Sequence, residues 1–209
     1  MISVAKSFRE CRDALRKREI ACPDCGVPLR PRGFADPLER LRGTVGGADV
    51  RAGARPRGQC DRCDRSHVLQ PAAVPAHRSD ALPVLVCALF AYLLDGLDAG
   101  EIAMVLCRPV RTVRGWLAQA RVFAARHLAA LTALLERIGG APAVPRIGGN
   151  SPVAELVCVL RALGGMAAGR WGDAGLGEWE RINLICRGRF LSPSLSSSFY
   201  QHLVYPGTE

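Results

Sequence analysis

Lysine is almost missing from this chain: of 28 basic residues, only Lys6 and Lys17 are not arginine. Aromatic residues are scarce as well, at 6%. Long apolar runs are missing: the longest, residues 81–94, contains Pro83 and falls short of the roughly 20 residues that a membrane-spanning helix needs. The first ten residues hold Lys6, Arg9 and Glu10 and no apolar stretch of the kind that a secretion signal carries. Nine cysteines, an odd number without such a signal, fit a reducing compartment better than a disulfide framework. The expectation is a cytoplasmic protein with no membrane partner. No Gly-x-Ser-x-Gly elbow and no Walker phosphate loop occurs, and Ser192, Ser194 and the serines at 196–198 sit in a low-complexity end. No small-molecule substrate is therefore expected.

What is present is positive charge. The formal net charge is +9, in 209 residues that are 49% hydrophobic, enough for a substantial core. A GC-rich genome also yields an Arg-, Ala- and Gly-rich chain, so only the placement of the arginines carries information. Residues 1–19 show helical spacing, with Val4, Phe8, Cys11 and Leu15 on one face. Residues 20–76 lose that period and become rich in Pro, Gly and Arg, with short extended pieces around 27–29 and 67–69. Residues 77–138 return to long helical patterns. Residues 139–150 read as a linker, 151–191 as a helical extension that opens with Ser151 and Pro152 at cap and first-turn positions, and 192–209 as a flexible tail. A last helix is expected near 177–186. The fold class is mainly α: a small metal-bound ribbon, a helical domain and a C-terminal helical extension.

The segment 20–76 is too poor in core residues to fold without a further constraint. Cys22-Pro-Asp-Cys25-Gly26 and Cys60-Asp-Arg-Cys63 supply one. Each pair offers two thiolates from one tight turn, and together they make four soft ligands for a tetrahedral ion with no open position. A structural Zn2+ held by Cys22, Cys25, Cys60 and Cys63 is expected, its binding coupled to folding of the module. The intervening loop is tolerable because closure entropy grows only logarithmically with length. The competing readings are unrelated reduced thiols, or a redox pair, which needs a strand–helix setting that is missing here. His67 is read as an ordinary strand residue, with substitution for one ligand as the alternative. Cys11, Cys87, Cys107, Cys158 and Cys186 are read as buried, inert thiols on apolar helix faces.

The helical domain has the layout of a helix-turn-helix. A first helix over 81–94 ends at Asp95-Gly96, a second starts near Ala99 with Ile102, Ala103 and Leu106 facing inward, and a break at Cys107-Arg108-Pro109 leads into a third. Pro109 suits the first turn of that helix. Val113, Trp116 and Leu117 fall on its inner face, which leaves Val110, Arg111, Arg114 and Ala118 outward and Thr112 and Arg121 flanking. Between Arg108 and Arg126 stand five arginines and no acid. In such a motif the start of the last helix enters the major groove, so Arg111 and Arg114 are candidates for base edges, and Arg121 and Arg126 for phosphates. The ordinary alternative is a helical hairpin with a solvated basic face. An apolar stripe from Leu117 to Ile138 suits packing on the C-terminal helices, with a homodimer as the other possibility. His127 beside it is read as an interfacial residue and not a ligand.

The run Cys-Pro-Asp-Cys-Gly, then Cys-Asp-Arg-Cys-Asp-Arg-Ser-His, then Arg-Pro-Val-Arg-Thr-Val-Arg-Gly-Trp-Leu resembles the N-terminal region of insertion-sequence transposases. It is closest to zinc-ribbon/helix-turn-helix proteins of GC-rich bacteria that share this layout. The resemblance covers roughly residues 20–125 and implies a structural zinc on the four cysteines and DNA contact by the helix after Arg108. Asp64 departs from it, standing where many such knuckles have glycine. Strand-transfer enzymes hold two metal ions on three carboxylates of a mixed α/β core. Beyond Glu101 this chain has only Glu136, Glu155, Asp173, Glu178, Glu180 and Glu209, in a helical context, so no enzyme is expected. Two function classes follow. One is a sequence-specific binder of double-stranded DNA, a regulator or a transposase-like targeting protein. The other is an interaction module docking onto a transposase or the transcription machinery. RNA is the weaker third option, since the knuckles lack aromatics for base stacking.

Overall fold

Three buried residues, Cys11, Ala14 and Leu15, recur at the spacing of one helix face, and they seat a short helix on a small sheet. The architecture is that of a computed structural model, which describes residues 2–4, 8–35, 55–75, 80–139, 151–171, 177–186 and 188–192. The fold is mainly helical with one small sheet, and the chain divides into two compact units, residues 1–84 with 174–190 and residues 85–173 with 191–209. The expected linker and serine-rich tail lie outside the described residues, apart from Gly139 at the end of a helix and Ser192.

The first unit contains β1 (Ile2–Val4), α1 (Phe8–Arg16), β2 (Leu29–Ala35), β3 (Arg55–Cys60) and β4 (Ser66–Pro71), with strand order β1-β4-β3-β2. β2, β3 and β4 pair antiparallel, whereas β1 runs parallel to β4 with Ile2 opposite Leu69. β2 stands at the end of this strand order, where a strand tolerates a proline such as Pro31. Its register shifts between Pro31 and Phe34, across Gly33 at φ +70°. Gly58 in β3 faces α1: a Cβ there would come within 2.9 Å of Leu15 Cδ1 and 3.1 Å of Leu29 Cβ. The core of the unit is Cys11, Ala14, Leu15, Ile20, Leu29 and Leu69 together with Cys22 and Cys60.

Two features here depart from the sequence reading. Val4, expected on the face of a helix, lies in β1, and α1 begins only at Phe8. A three-residue strand is too short to show a period, and its parallel partner is more than 60 residues away in the chain. β3 is not expected from the sequence, and β2 and β4 run beyond the short pieces expected around 27–29 and 67–69, because Pro31, Gly33, Pro56 and Gly58 suppress the local strand signal that pairing restores. α6 (Glu178–Ile185), numbered after the helices of the second unit, also belongs to this unit and contacts β1. Its fully buried Asn183 donates to Ala72 O at 2.7 Å and accepts from the Phe190 N–H at 3.3 Å, so both ends of the amide are satisfied.

The boundary between the units falls inside α2 (Leu82–Leu93), after Val84. The second unit continues with α3 (Ala99–Val105), α4 (Val110–Gly139) and α5 (Pro152–Trp171). α3 starts with a capping box: Asp98 Oδ1 accepts from Gly100 N at 2.6 Å and Glu101 N at 2.9 Å, and Glu101 Oε2 accepts from Asp98 N at 2.7 Å. It ends in a Schellman turn, with Arg108 N donating to Ala103 O at 2.9 Å and Cys107 N to Met104 O at 3.2 Å. Cys107 takes the left-handed position at φ +50° that glycine usually fills. Pro109 stands one residue earlier than expected: its carbonyl accepts from Thr112 N and Val113 N, which makes it the cap and not the first helical residue. Leu117, Ala120, Ala124, Leu131 and Leu135 are buried along α4, which packs against α5. Ser151 Oγ caps α5 through Ala154 N at 3.2 Å.

Candidate metal centre and basic helix

Two chain reversals bring four sulfurs together. In the first, Cys22 N donates to Val27 O and Gly26 N to Cys22 O, both at or under 2.9 Å, with Gly26 at φ +74°. In the second, Cys60 N donates to Arg65 O at 3.0 Å, and Asp64 takes the left-handed position at φ +55°. Aspartate tolerates that conformation better than most side chains do, and here the Gln59 side-chain N–H donates to Asp64 Oδ1. Aspartate at this position is thus accommodated within the turn. Gln59 Oε1 in turn accepts from Arg30, which also pairs with Asp61 at 2.5 Å.

The Sγ atoms of Cys22, Cys25, Cys60 and Cys63 all lie within 4.8 Å of one another, two buried and two partly exposed. Backbone N–H groups aim at the sulfurs. The Cys63 N–H, helped by Arg62 N–H and the sulfurs of Cys25 and Cys63, pulls Cys60 down to about 7. At Cys25 the Val27 N–H also lowers the pKa, but the Cys60 sulfur, burial and the other two thiols outweigh it and raise the group to about 12. Cys63 is raised as well, the Arg65 N–H being outweighed by burial and by Cys60 and Cys22. Four thiolates at this spacing repel one another, and a divalent cation removes that repulsion. The donor set therefore suits a metal ion, which would join the two turns with all four positions filled by protein.

His67 lies closer to this cluster than its reading as an ordinary strand residue implied. Its ring is buried, with Nε2 3.4 Å from Cys22 Sγ and 3.9 Å from Asp24 Oδ2. Burial, more than any charge, pushes its pKa down, against the pull of Asp24. Cys22, Asp24 and His67 form a second set within 4.8 Å, but Asp24 is exposed and the set shares Cys22 with the four-sulfur group. The four cysteines are the better-built site, and His67 adds a neighbour to one of its sulfurs. The signal for this was the register: Gly58 pairs with His67, which aligns the ring with the Cys60 end of β3. Of the remaining thiols, Cys11, Cys158 and Cys186 are buried, but Cys87 and Cys107 are exposed, contrary to the expectation. Cys107 sits in the turn after α3, outside any helix face, and Cys87 is on the solvent side of α2.

In the second unit, Ile102, Ala103, Leu106, Val113, Trp116 and Leu117 are all buried, and they fix which side of α4 faces out. Val110, Arg111, Arg114 and Ala118 are exposed at its start, with Thr112 half-buried. Arg108 and Arg121 are engaged within the unit. Arg108 Nη1 donates to Leu106 O at 3.1 Å and Cys107 O at 3.2 Å, closing the end of α3. Arg121 donates to Tyr92 Oη at 3.0 Å, its guanidinium 5.6 Å from the ring centre. Arg126 lies farther along α4, exposed, beside buried His127, whose ring is 4.3 Å from that of Phe123 and whose pKa burial pushes down. Met104 and Val105 are exposed by 73% and 64%, next to the turn. Among the described residues no helix is long and apolar enough to cross a membrane. Comparison with known protein families, curated proteins and solved structures finds no match to this chain.

Proposed function

We propose that the protein binds double-stranded DNA through the α3–turn–α4 segment as a helix-turn-helix, and that its four cysteines hold a structural zinc as a zinc ribbon. The observation that carries the reading is the start of α4. A buried triplet, Val113, Trp116 and Leu117, turns Val110, Arg111 and Arg114 outward on one rigid helix end that holds no acid. Arg111 and Arg114 are suited to bidentate contact with guanine O6 and N7, and Val110 to a thymine methyl. Thr112 and Arg126 supply phosphate contacts, and Arg108 and Arg121 chiefly hold the motif in shape. The role is that of a regulator or a transposase-like targeting protein, without catalysis of its own.

The exposed Met104 and Val105 favour a second reading, an interaction module docking onto a protein partner such as a transposase or the transcription machinery. Salt separates the two. Fluorescence anisotropy of the zinc-loaded chain on random-sequence duplex DNA should show affinity falling by orders of magnitude between about 50 and 200 mM salt, and Arg111→Ala/Arg114→Ala should abolish binding. No binding by the folded, zinc-loaded protein would reject the DNA reading in favour of docking.

A further inference from the structure

α1 carries arginines at positions 9, 12 and 16, which fall within an arc of about 60° on a helix that turns about 100° per residue. The arc lies opposite Cys11, Ala14 and Leu15, whose burial against the sheet fixes the helix and turns all three arginines to solvent. Helix stability does not explain the stripe. Arg16 complements the C-terminal end of the dipole, but Arg9 stands in the first turn, where a positive charge opposes it. The contact of Arg16 with Asp13, at 3.8 Å between exposed groups, is a weak tie. From Arg9 to Arg16 the helix advances about 10 Å, and one strand of a duplex offers a phosphate about every 3.4 Å of rise. The span covers about three phosphate-to-phosphate steps of one strand.

We propose that the outer face of α1 is a second nucleic-acid surface, in which Arg9, Arg12 and Arg16 contact the phosphates of one strand without reading sequence. The proposal takes its partner class from the duplex-binding reading above, but uses the other structural unit and a different set of arginines. Arginine suits it because its planar fork pairs with phosphate oxygens in a bidentate manner.

The test is the salt dependence of duplex binding by the full-length, zinc-loaded chain and its Arg9→Gln/Arg12→Gln/Arg16→Gln variant, with zinc content and circular dichroism confirming an intact fold. Each lost phosphate contact lowers the slope of log K against log salt by about 0.9, so the triple variant should lose about 2.7. Its deficit should be equal on all sequences, and a triple lysine variant should recover most of the slope. An unchanged slope, with binding still lost on Arg111→Ala/Arg114→Ala, overturns this inference alone. A wild-type chain that binds no duplex overturns it together with the reading on which it rests.

Discussion

Cys25 Sγ lies 3.3 Å from Cys60 Sγ, a contact between residues 35 apart in the chain and in different turns. An ion held there would tie the two reversals to each other, in addition to the β2–β3 pairing that sets Leu29 opposite Cys60. The protein as isolated should hold about one zinc ion per chain, as a closed four-thiolate site requires. Chelation should strip amide-exchange protection from β3 and β4 while α4 and α5 keep theirs. Cys60→Ser should do the same without chelator. Full metal content in Cys60→Ser, or unchanged β3–β4 protection after chelation, would count against a structural ion.

At Gly58 the approach of Leu15 from α1 and of Leu29 from β2 leaves no space for a methyl group. A Cβ there, 2.9 Å from Leu15 Cδ1 and 3.1 Å from Leu29 Cβ, forces these neighbours to shift. Gly58→Ala should destabilise the first unit by about 1–3 kcal/mol, the usual cost of overpacking. In the double variant with Leu15→Ala the two effects should couple and total less than their sum, because the nearest clash partner is gone and only the contacts with Leu29 at 3.1 Å remain. Additive losses in urea titrations would show that the strain lies elsewhere.

Cys107 and Asp64 hold left-handed backbone without being glycine. At Cys107, the C′ residue of the Schellman turn, only a weak thiol contact, Sγ to Met104 O at 3.8 Å, stands against that cost. Cys107→Gly should raise the stability of the second unit by about 1 kcal/mol. Asp64→Gly should change little, since relief of the backbone is offset by loss of the bond from Gln59. Asp64→Val should be the damaging substitution, because a β-branched residue fits that region worst. Urea midpoints of the three variants check the order, and a destabilised Cys107→Gly would contradict it.

The helices were legible in the sequence because each advertises itself over several turns. Ile102, Ala103, Leu106, Val113, Trp116 and Leu117 keep a period that local sequence reveals, and all six are buried. Ser151-Pro152 and Gly177 mark helix starts to within a residue. The sheet was hardly legible: β1 is three residues long, and β3 needs partners on both sides to exist as a strand despite Pro56 and Gly58. The sulfur cluster was readable from spacing alone. The neighbourhood of His67 was not, since it depends on the pairing of β3 with β4, which no local pattern encodes. The engagement of Arg121 by Tyr92 depends likewise on tertiary packing, which a count of arginines does not register.

The capping box at Asp98 makes the start of α3 sensitive to acid. The N–H groups of Glu101 and Gly100, aided by nearby Arg114, hold the Asp98 carboxyl below its usual 3.8. A depressed folded value means that the stabilisation is complete above 3.8 and is lost as pH falls through the lower folded value. Asp98→Ala should melt earlier than the wild type at neutral pH, and the gap should close in that acid window. Asp98→Asn, which still caps, should sit near the wild type at neutral pH. A gap that persists unchanged in acid would show that the cap does not act through the carboxylate.

Arg121 and the pair Arg111 and Arg114 should separate when stability and binding are measured on the same variants. Arg121 packs over the Tyr92 ring and bonds its hydroxyl, so it links α4 to α2. Its removal gives up a cation–π contact worth about 0.5–1 kcal/mol at an exposed site, together with a side-chain hydrogen bond. Arg121→Ala should lower the melting temperature, and Tyr92→Phe should reproduce part of the loss because it removes the bond and keeps the ring. Arg111→Ala and Arg114→Ala act at exposed positions and should leave melting within about 0.5 kcal/mol of the wild type while weakening duplex binding. If Arg121→Ala melts like the wild type yet binds DNA as poorly as Arg111→Ala does, Arg121 is a direct contact and Tyr92 only a resting place for it.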